Sequence, residues 1–173
     1  MNLMISKPQA GEFAPHYGAY INLVPSDNLI QELESQLEQF SSFMQNLPND
    51  KLNYAYADGK WTIAQLIQHI LDTERIYVYR MLHFVRGGQM DIPGFDHDSF
   101  AANANAANRS KADLIEEFEA IRKSTIAFLK SITLEQSLII GKANNFEISV
   151  RSLGYTAYGH IAHHVRIISE RYL

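Results

Sequence analysis

A chain of 173 residues, 46% hydrophobic and 20% charged, is long enough for one domain with a real core and too short for two comfortable ones. Its formal net charge of −4, with no cluster of Lys and Arg, argues against nucleic acid and against an acidic membrane surface as partners. It has no cysteine, which removes disulfides, thiolate metal sites and cysteine nucleophiles together; a metal would need His, Asp, Glu or water, and a thiol would have to arrive with a substrate.

Residues 1–25, punctuated by Pro8, Gly11, Pro15, Gly18 and Pro25, read as an irregular arm laid over the domain. Residues 1–13 lack a basic stretch followed by an apolar one, and no segment approaches the ~20 apolar residues of a membrane span, so a cytoplasmic protein is expected. The first helix is predicted to start at Ser26 or Asp27, to bury Leu29, Ile30, Leu33, Leu37, Phe40 and Met44, and to end before Pro48. The second opens on a capping box, Thr62 with Gln65, and Trp61 can staple onto Leu66. Ile63, Leu66, His69, Ile70, Thr73, Ile76, Tyr77, Arg80 and Leu82 share its broad inner face, and Gly87-Gly88 closes it.

Residues 87–109 form a connection long enough to be functional or to cross over between parallel neighbours. The third helix starts at Ser110, with Leu114, Ile115, Phe118, Ile121, Phe128 and Leu129 inward. A turn near Thr133–Gln136 and a polar loop through Asn144-Asn145 lead to the fourth helix, from about Ser149 nearly to Leu173. Its Gly154 and Gly159 cost helix stability and suggest a neighbouring helix in close approach. Four amphipathic helices without convincing strand alternation predict an all-α, four-helix bundle, one domain over 1–173, and the crossover hints at up-down-down-up connectivity.

The chemistry-bearing signal lies in the histidines. His160 and His164 stand one turn apart on the apolar stripe of the fourth helix with Leu153, Ala157, Ile161 and Ile168. Inward imidazoles are costly unless their nitrogens find partners, and a shared divalent metal would satisfy both. His69, on the inner face of the second helix, is the third candidate, because bundle cores build metal sites from facing helices. Three neutral nitrogen ligands leave a coordination position free, the pattern of a reactive site; Zn, Ni, Fe and Mn all suit it. His16 in the arm and His97 beside Asp96 and Asp98 read as surface residues. His163 points about 100° away from His164, and His83 lies about 21 Å along the axis from His69. Glu74 reads as a surface or interhelical ion-pair residue, Arg80 as an inward arginine paired with a carboxylate, and Tyr155 and Tyr158 as core. A di-iron carboxylate site is excluded, since no Glu precedes a His by three.

The segments Lys60–His69, Asp72–Arg80, Ile92–Asp96, Gly159–His164 and Ser169–Leu173, in this order and spacing, resemble the DinB/YfiT-like family of metalloenzymes over nearly the whole chain. The resemblance implies an up-down-down-up bundle whose metal is held by one histidine of helix two and an HxxxH pair of helix four, which fall on His69, His160 and His164. It further implies nickel or zinc as the metal, a homodimer, and a small-molecule substrate handled by hydrolysis or by transfer to a low-mass thiol. A metal-dependent enzyme of one of these two kinds is therefore the leading expectation, with no catalytic residue assignable beyond the ligands. The competing expectation is a non-enzymatic interaction module in which the metal only braces helices.

Overall fold

A computed structural model describes residues 4–173. In chain order its helices are α1 (Gly18–Ile21), α2 (Leu29–Asn46), α3 (Ile63–Val85), α4 (His97–Asn103), α5 (Lys111–Ser131), α6 (Leu134–Ser137) and, after the hairpin β1 (Ile140–Ala143) and β2 (Phe146–Ser149), α7 (Val150–Arg171). The four long ones are α2, α3, α5 and α7, as the apolar periodicity predicts. Each starts on a side chain that accepts from an otherwise orphaned backbone N–H: Asn28, Thr62, Ser110 and Ser149. The Thr62–Gln65 capping box is reciprocal, as expected. Helix α2 begins later than predicted: the Ser26 hydroxyl accepts from the Asn28 N–H, which leaves Asn28 as the cap.

Contacts between the long helices give their directions. Lys111, at the start of α5, donates to the carbonyls of Gln45 and Leu47 at the end of α2, while Lys130 near the end of α5 meets Glu34 near the start of α2. These two are antiparallel. Gln68 pairs with Arg109 and Glu74 with Arg122, so α3 and α5 run parallel. The Tyr172 hydroxyl donates to the Trp61 carbonyl while the Tyr77 ring meets His160 edge to face, so α7 runs against α3. The connectivity is up-down-down-up, and the crossover between the two parallel helices carries α4.

The hairpin departs from the expected absence of strands. Asn144 and Asn145 both take left-handed φ values, 53° and 66°, and form the tight turn that joins β1 to β2. The crossover is fastened to it: Ile92 N–H donates to the Lys142 carbonyl, and Asn144 N–H donates back to the Ile92 carbonyl. Leu82, expected inside, is 40% exposed. No helix among the described residues is long and apolar enough to cross a membrane.

The described part of the arm is ordered by α7. Glu12 pairs with Arg151 and accepts from the Ser149 hydroxyl, and the Tyr155 hydroxyl donates to the Ile5 carbonyl. Helix α1 lies directly on Gly159, where a Cβ would come within 2.0 Å of the Tyr20 carbonyl oxygen. The close approach that the helical glycines suggest is thus made at Gly159 by the arm's backbone, and at Gly154 by the Leu29 side chain of α2. Gly159→Ala is expected to lower stability by about 1–3 kcal/mol, because backbone rather than a mobile side chain must move. Urea denaturation checks the loss, and limited proteolysis should show cleavage in the arm well before the bundle.

Candidate metal centre

The capping box starts α3 at a defined residue and so places His69 two turns in, facing α7. On α7, the i, i+4 spacing sets His160 and His164 on the face that meets α3. The three rings converge. His160 Nε2 lies 3.0 Å from His69 Nε2 and 3.0 Å from His164 Nε2, and all three nitrogens fit within 4.8 Å of one another. The residues are 7%, 5% and 8% exposed.

Burial, followed by the charge of His97, pushes His69 down to about 4. Burial and the neighbouring histidines push His164 down to about 3 and hold His160 well below the usual imidazole range. At neutral pH all three are uncharged and offer lone pairs. Nitrogens about 3 Å apart are also what ligands ~2.0–2.1 Å from a common ion present to one another, so the donor set fits a divalent metal. The Thr73 hydroxyl lies 3.4 Å from His69 Nδ1, where it can accept that proton and turn Nε2 towards the centre. His164 Nδ1 is buried and has no hydrogen-bond partner among the described residues.

Rings that are neutral when folded and protonated when unfolded give a defined pH response. The unfolded chain binds more protons below the ordinary imidazole value of ~6.5, so stability is full above it and falls as pH drops towards the depressed folded values. Metal-stripped protein is therefore expected to lose stability from about pH 6.5 down to pH 4, with a slope of up to about 1.4 kcal/mol per pH unit for each ring. Chemical denaturation at stepped pH measures it; a flat profile across this window contradicts the buried, neutral trio.

The trio opens into a cavity of about 490 Å³. Much of its wall is aromatic: Tyr17 and Tyr20 from the arm, Trp61, Tyr77 and Phe95. His97 is exposed, as it reads in the sequence, and the crossover also brings its ring to 5.1 Å from that of His69, centroid to centroid, on the cavity wall. Its only sequence signal is its place after the helix-capping Asp96. His16 is exposed at the cavity, its ring against Phe146. His163 is a half-buried flank residue whose ring meets Tyr20. The His83 ring instead covers Gly88, away from the trio.

Two charged expectations separate. Glu74 is an interhelical ion-pair residue, bound to Arg122 of α5. Arg80 is inward and 4% exposed, but the carboxylate expected beside it is missing: no ion-pair partner lies within 4.0 Å among the described residues. It lines the cavity. Tyr155 and Tyr158 are core, as expected.

Comparisons with known proteins bear on the fold and the family. The chain is 25% identical over 152 residues to a protein of Oceanobacillus iheyensis named "Putative metal-dependent hydrolase OB0413", covering 82% of this chain and 86% of that one. The solved structure of YfiT from Bacillus subtilis superposes with a TM-score of 0.67 at 17% identity, covering 95% of this chain and 90% of that one, and is described as a four-helix bundle of unusual topology. Residues 32–168, which hold all three converging histidines, match the model of the DinB superfamily, and the chain belongs to that family.

Proposed function

We propose that the protein is a metal-dependent enzyme for a small molecule, with one divalent ion held by His69, His160 and His164. The observation that carries this reading is three buried, neutral imidazoles converging at an open cavity of about 490 Å³. A structural brace needs a closed coordination sphere; three protein nitrogens beside an open chamber leave room for a visitor, which favours the enzyme over the metal-braced module. When bound, the ion supplies Lewis acidity and makes a nucleophile from water or a thiol at neutral pH. Nickel and zinc are the metals proposed first, from the family resemblance; iron and manganese suit the same donors.

The protein's own groups do the remaining work. Thr73 orients His69. His97 presents an imidazole to the cavity that can hold or release a proton during the reaction. Tyr17, Tyr20, Trp61 and Tyr77 shield the chamber from bulk water. Hydrolysis has the support of the relative's name. S-transfer has the support of the cysteine-free sequence, in which a thiol nucleophile must be a low-mass co-substrate.

Elemental analysis of untagged protein, followed by turnover of an ester, amide and epoxide panel with and without added low-mass thiol, tests the reading. Chelation is expected to abolish turnover and re-addition of the native ion to restore it. Undiminished turnover by metal-free protein overturns it, and product formation only with thiol present selects transfer over hydrolysis.

A further inference from the structure

Three arginines are buried among the described residues, and two have their counter-charge. Arg122 is held by Glu74, and Arg151 by Glu12. Arg80, 4% exposed, lies between those two in burial, yet its guanidinium meets only neutral groups among the described residues: Nη2 donates to the Pro93 carbonyl at 3.3 Å, the Tyr17 hydroxyl lies beside it, and Nε is buried without a partner. Asp98 is the carboxylate that shares the cavity wall, and it accepts from Trp61 Nε1 at 3.0 Å. Asp96 is engaged in capping α4. A permanently charged group kept this far from water without an anion is costly, and it cannot escape by losing its proton.

The position of this charge makes it useful. Arg80 lines the same cavity as the three histidines. On α3, His69, Thr73, Tyr77 and Arg80 form one stripe into the chamber, with His69 and Arg80 about 16 Å apart along the helix axis. Helical side chains lean towards the N-terminus, so the guanidinium reaches back towards the trio and shortens that span. Between the two ends the walls are aromatic.

We propose that Arg80 is the anchor for a substrate carboxylate, and that the cavity takes a small organic acid with an aromatic or apolar body whose reactive end reaches the three histidines. The planar guanidinium fork matches a carboxylate, and the ligand supplies the missing counter-charge. The substrate assignment rests on the proposed function; the anion site itself does not need the metal.

The test uses ω-phenyl carboxylates from phenylacetate to 5-phenylvalerate, the matching neutral amides, and inorganic phosphate, with binding followed by ligand-observed NMR and calorimetry. The wild-type protein is expected to bind at least one acid about 10- to 100-fold more tightly than its amide. Arg80→Met should erase that preference while leaving the melting temperature unchanged or raised, because it removes an uncompensated charge. Arg80→Lys should retain a weakened preference. His160→Ala should keep the acid–amide preference, since the anchor lies on Arg80.

Equal binding of acids and amides overturns the proposal, as does phosphate bound in place of every acid. Loss of the preference in His160→Ala with its retention in Arg80→Met puts the acid on the metal instead; the proposed function then stands and the anchor falls. An Arg80→Met protein that melts far lower or fails to fold makes Arg80 structural and also overturns it. Protein that retains no divalent metal after reconstitution but still shows an Arg80-dependent preference leaves the anchor standing while the metal reading fails; metal-stripped protein that loses the preference overturns the anchor.

Discussion

Replacing His160 by alanine is expected to take retained divalent metal from about one equivalent per chain to background after dialysis, and to abolish turnover. Of the three rings, this one has the largest effect because its Nε2 sits 3.0 Å from each of the others; without it, His69 and His164 are two ligands on separate helices. Thr73→Val should act in the same direction but more weakly, costing about 10- to 100-fold in metal affinity, since it alters only what orients His69. His97→Ala should keep the metal and lose rate. In thermal unfolding, wild-type protein at a free metal concentration a thousandfold above Kd should gain about 4 kcal/mol that His160→Ala does not. Metal-free wild type and His160→Ala should melt close together, because the variant removes a buried polar ring from the edge of a cavity. Inductively coupled plasma analysis and calorimetry measure both arms; a His160→Ala protein with full metal content defeats the three-histidine centre.

That centre was legible because its signals are local. An i, i+4 pair on an apolar stripe fixes a face, and a capping box fixes where the opposing helix starts, so the meeting of His69 with His160 and His164 needs only that α3 and α7 pack together. The long crossover likewise announces parallel neighbours. What escaped was information that exists only after folding. Ser26, Asp27 and Asn28 are all good caps, and the turn that uses the Ser26 hydroxyl on Asn28 decides among them. Four-residue strands are too short for a period, although the Asn144-Asn145 pair that turns them carries the left-handed preference. His97, Tyr17 and Tyr20 reach the cavity by tertiary contacts of the crossover and the arm, for which neighbouring sequence holds no cue beyond the cap at Asp96 that precedes His97. Arg80 shows the limit most clearly: burial was readable from its register on α3, but the absence of a carboxylate was not.

Glu74→Ala is the second substitution expected to have a large effect, a loss of about 3–5 kcal/mol from the ~5–15 kcal/mol typical of a domain. Arg122 is fully buried, with Nε and Nη2 donating to the two Glu74 oxygens at 2.9 Å each and Nη1 donating to Gln36 Oε1 at 2.8 Å. The Thr125 hydroxyl donates to Glu74 Oε1 at 2.8 Å, so one cluster ties α2, α3 and α5 together. Removing the carboxylate strands a guanidinium that cannot be neutralised by deprotonation. The reverse change, Arg122→Met, should cost less, because the stranded carboxyl can take up a proton. Glu74→Leu with Arg122→Met should recover much of the loss, since burying an ion pair in this environment gains little over apolar packing. Urea denaturation of the four proteins gives the coupling energy; a Glu74→Ala loss under about 1 kcal/mol contradicts this account. The cluster sits one turn beyond His69 on α3, so the same loosening should weaken metal affinity about tenfold without touching a ligand, as second-sphere changes do. Arg122 and Arg80 therefore make opposite predictions for one residue type: the first carries its anion within the fold and is needed for stability, whereas the second lacks one and is dispensable for stability but needed for binding.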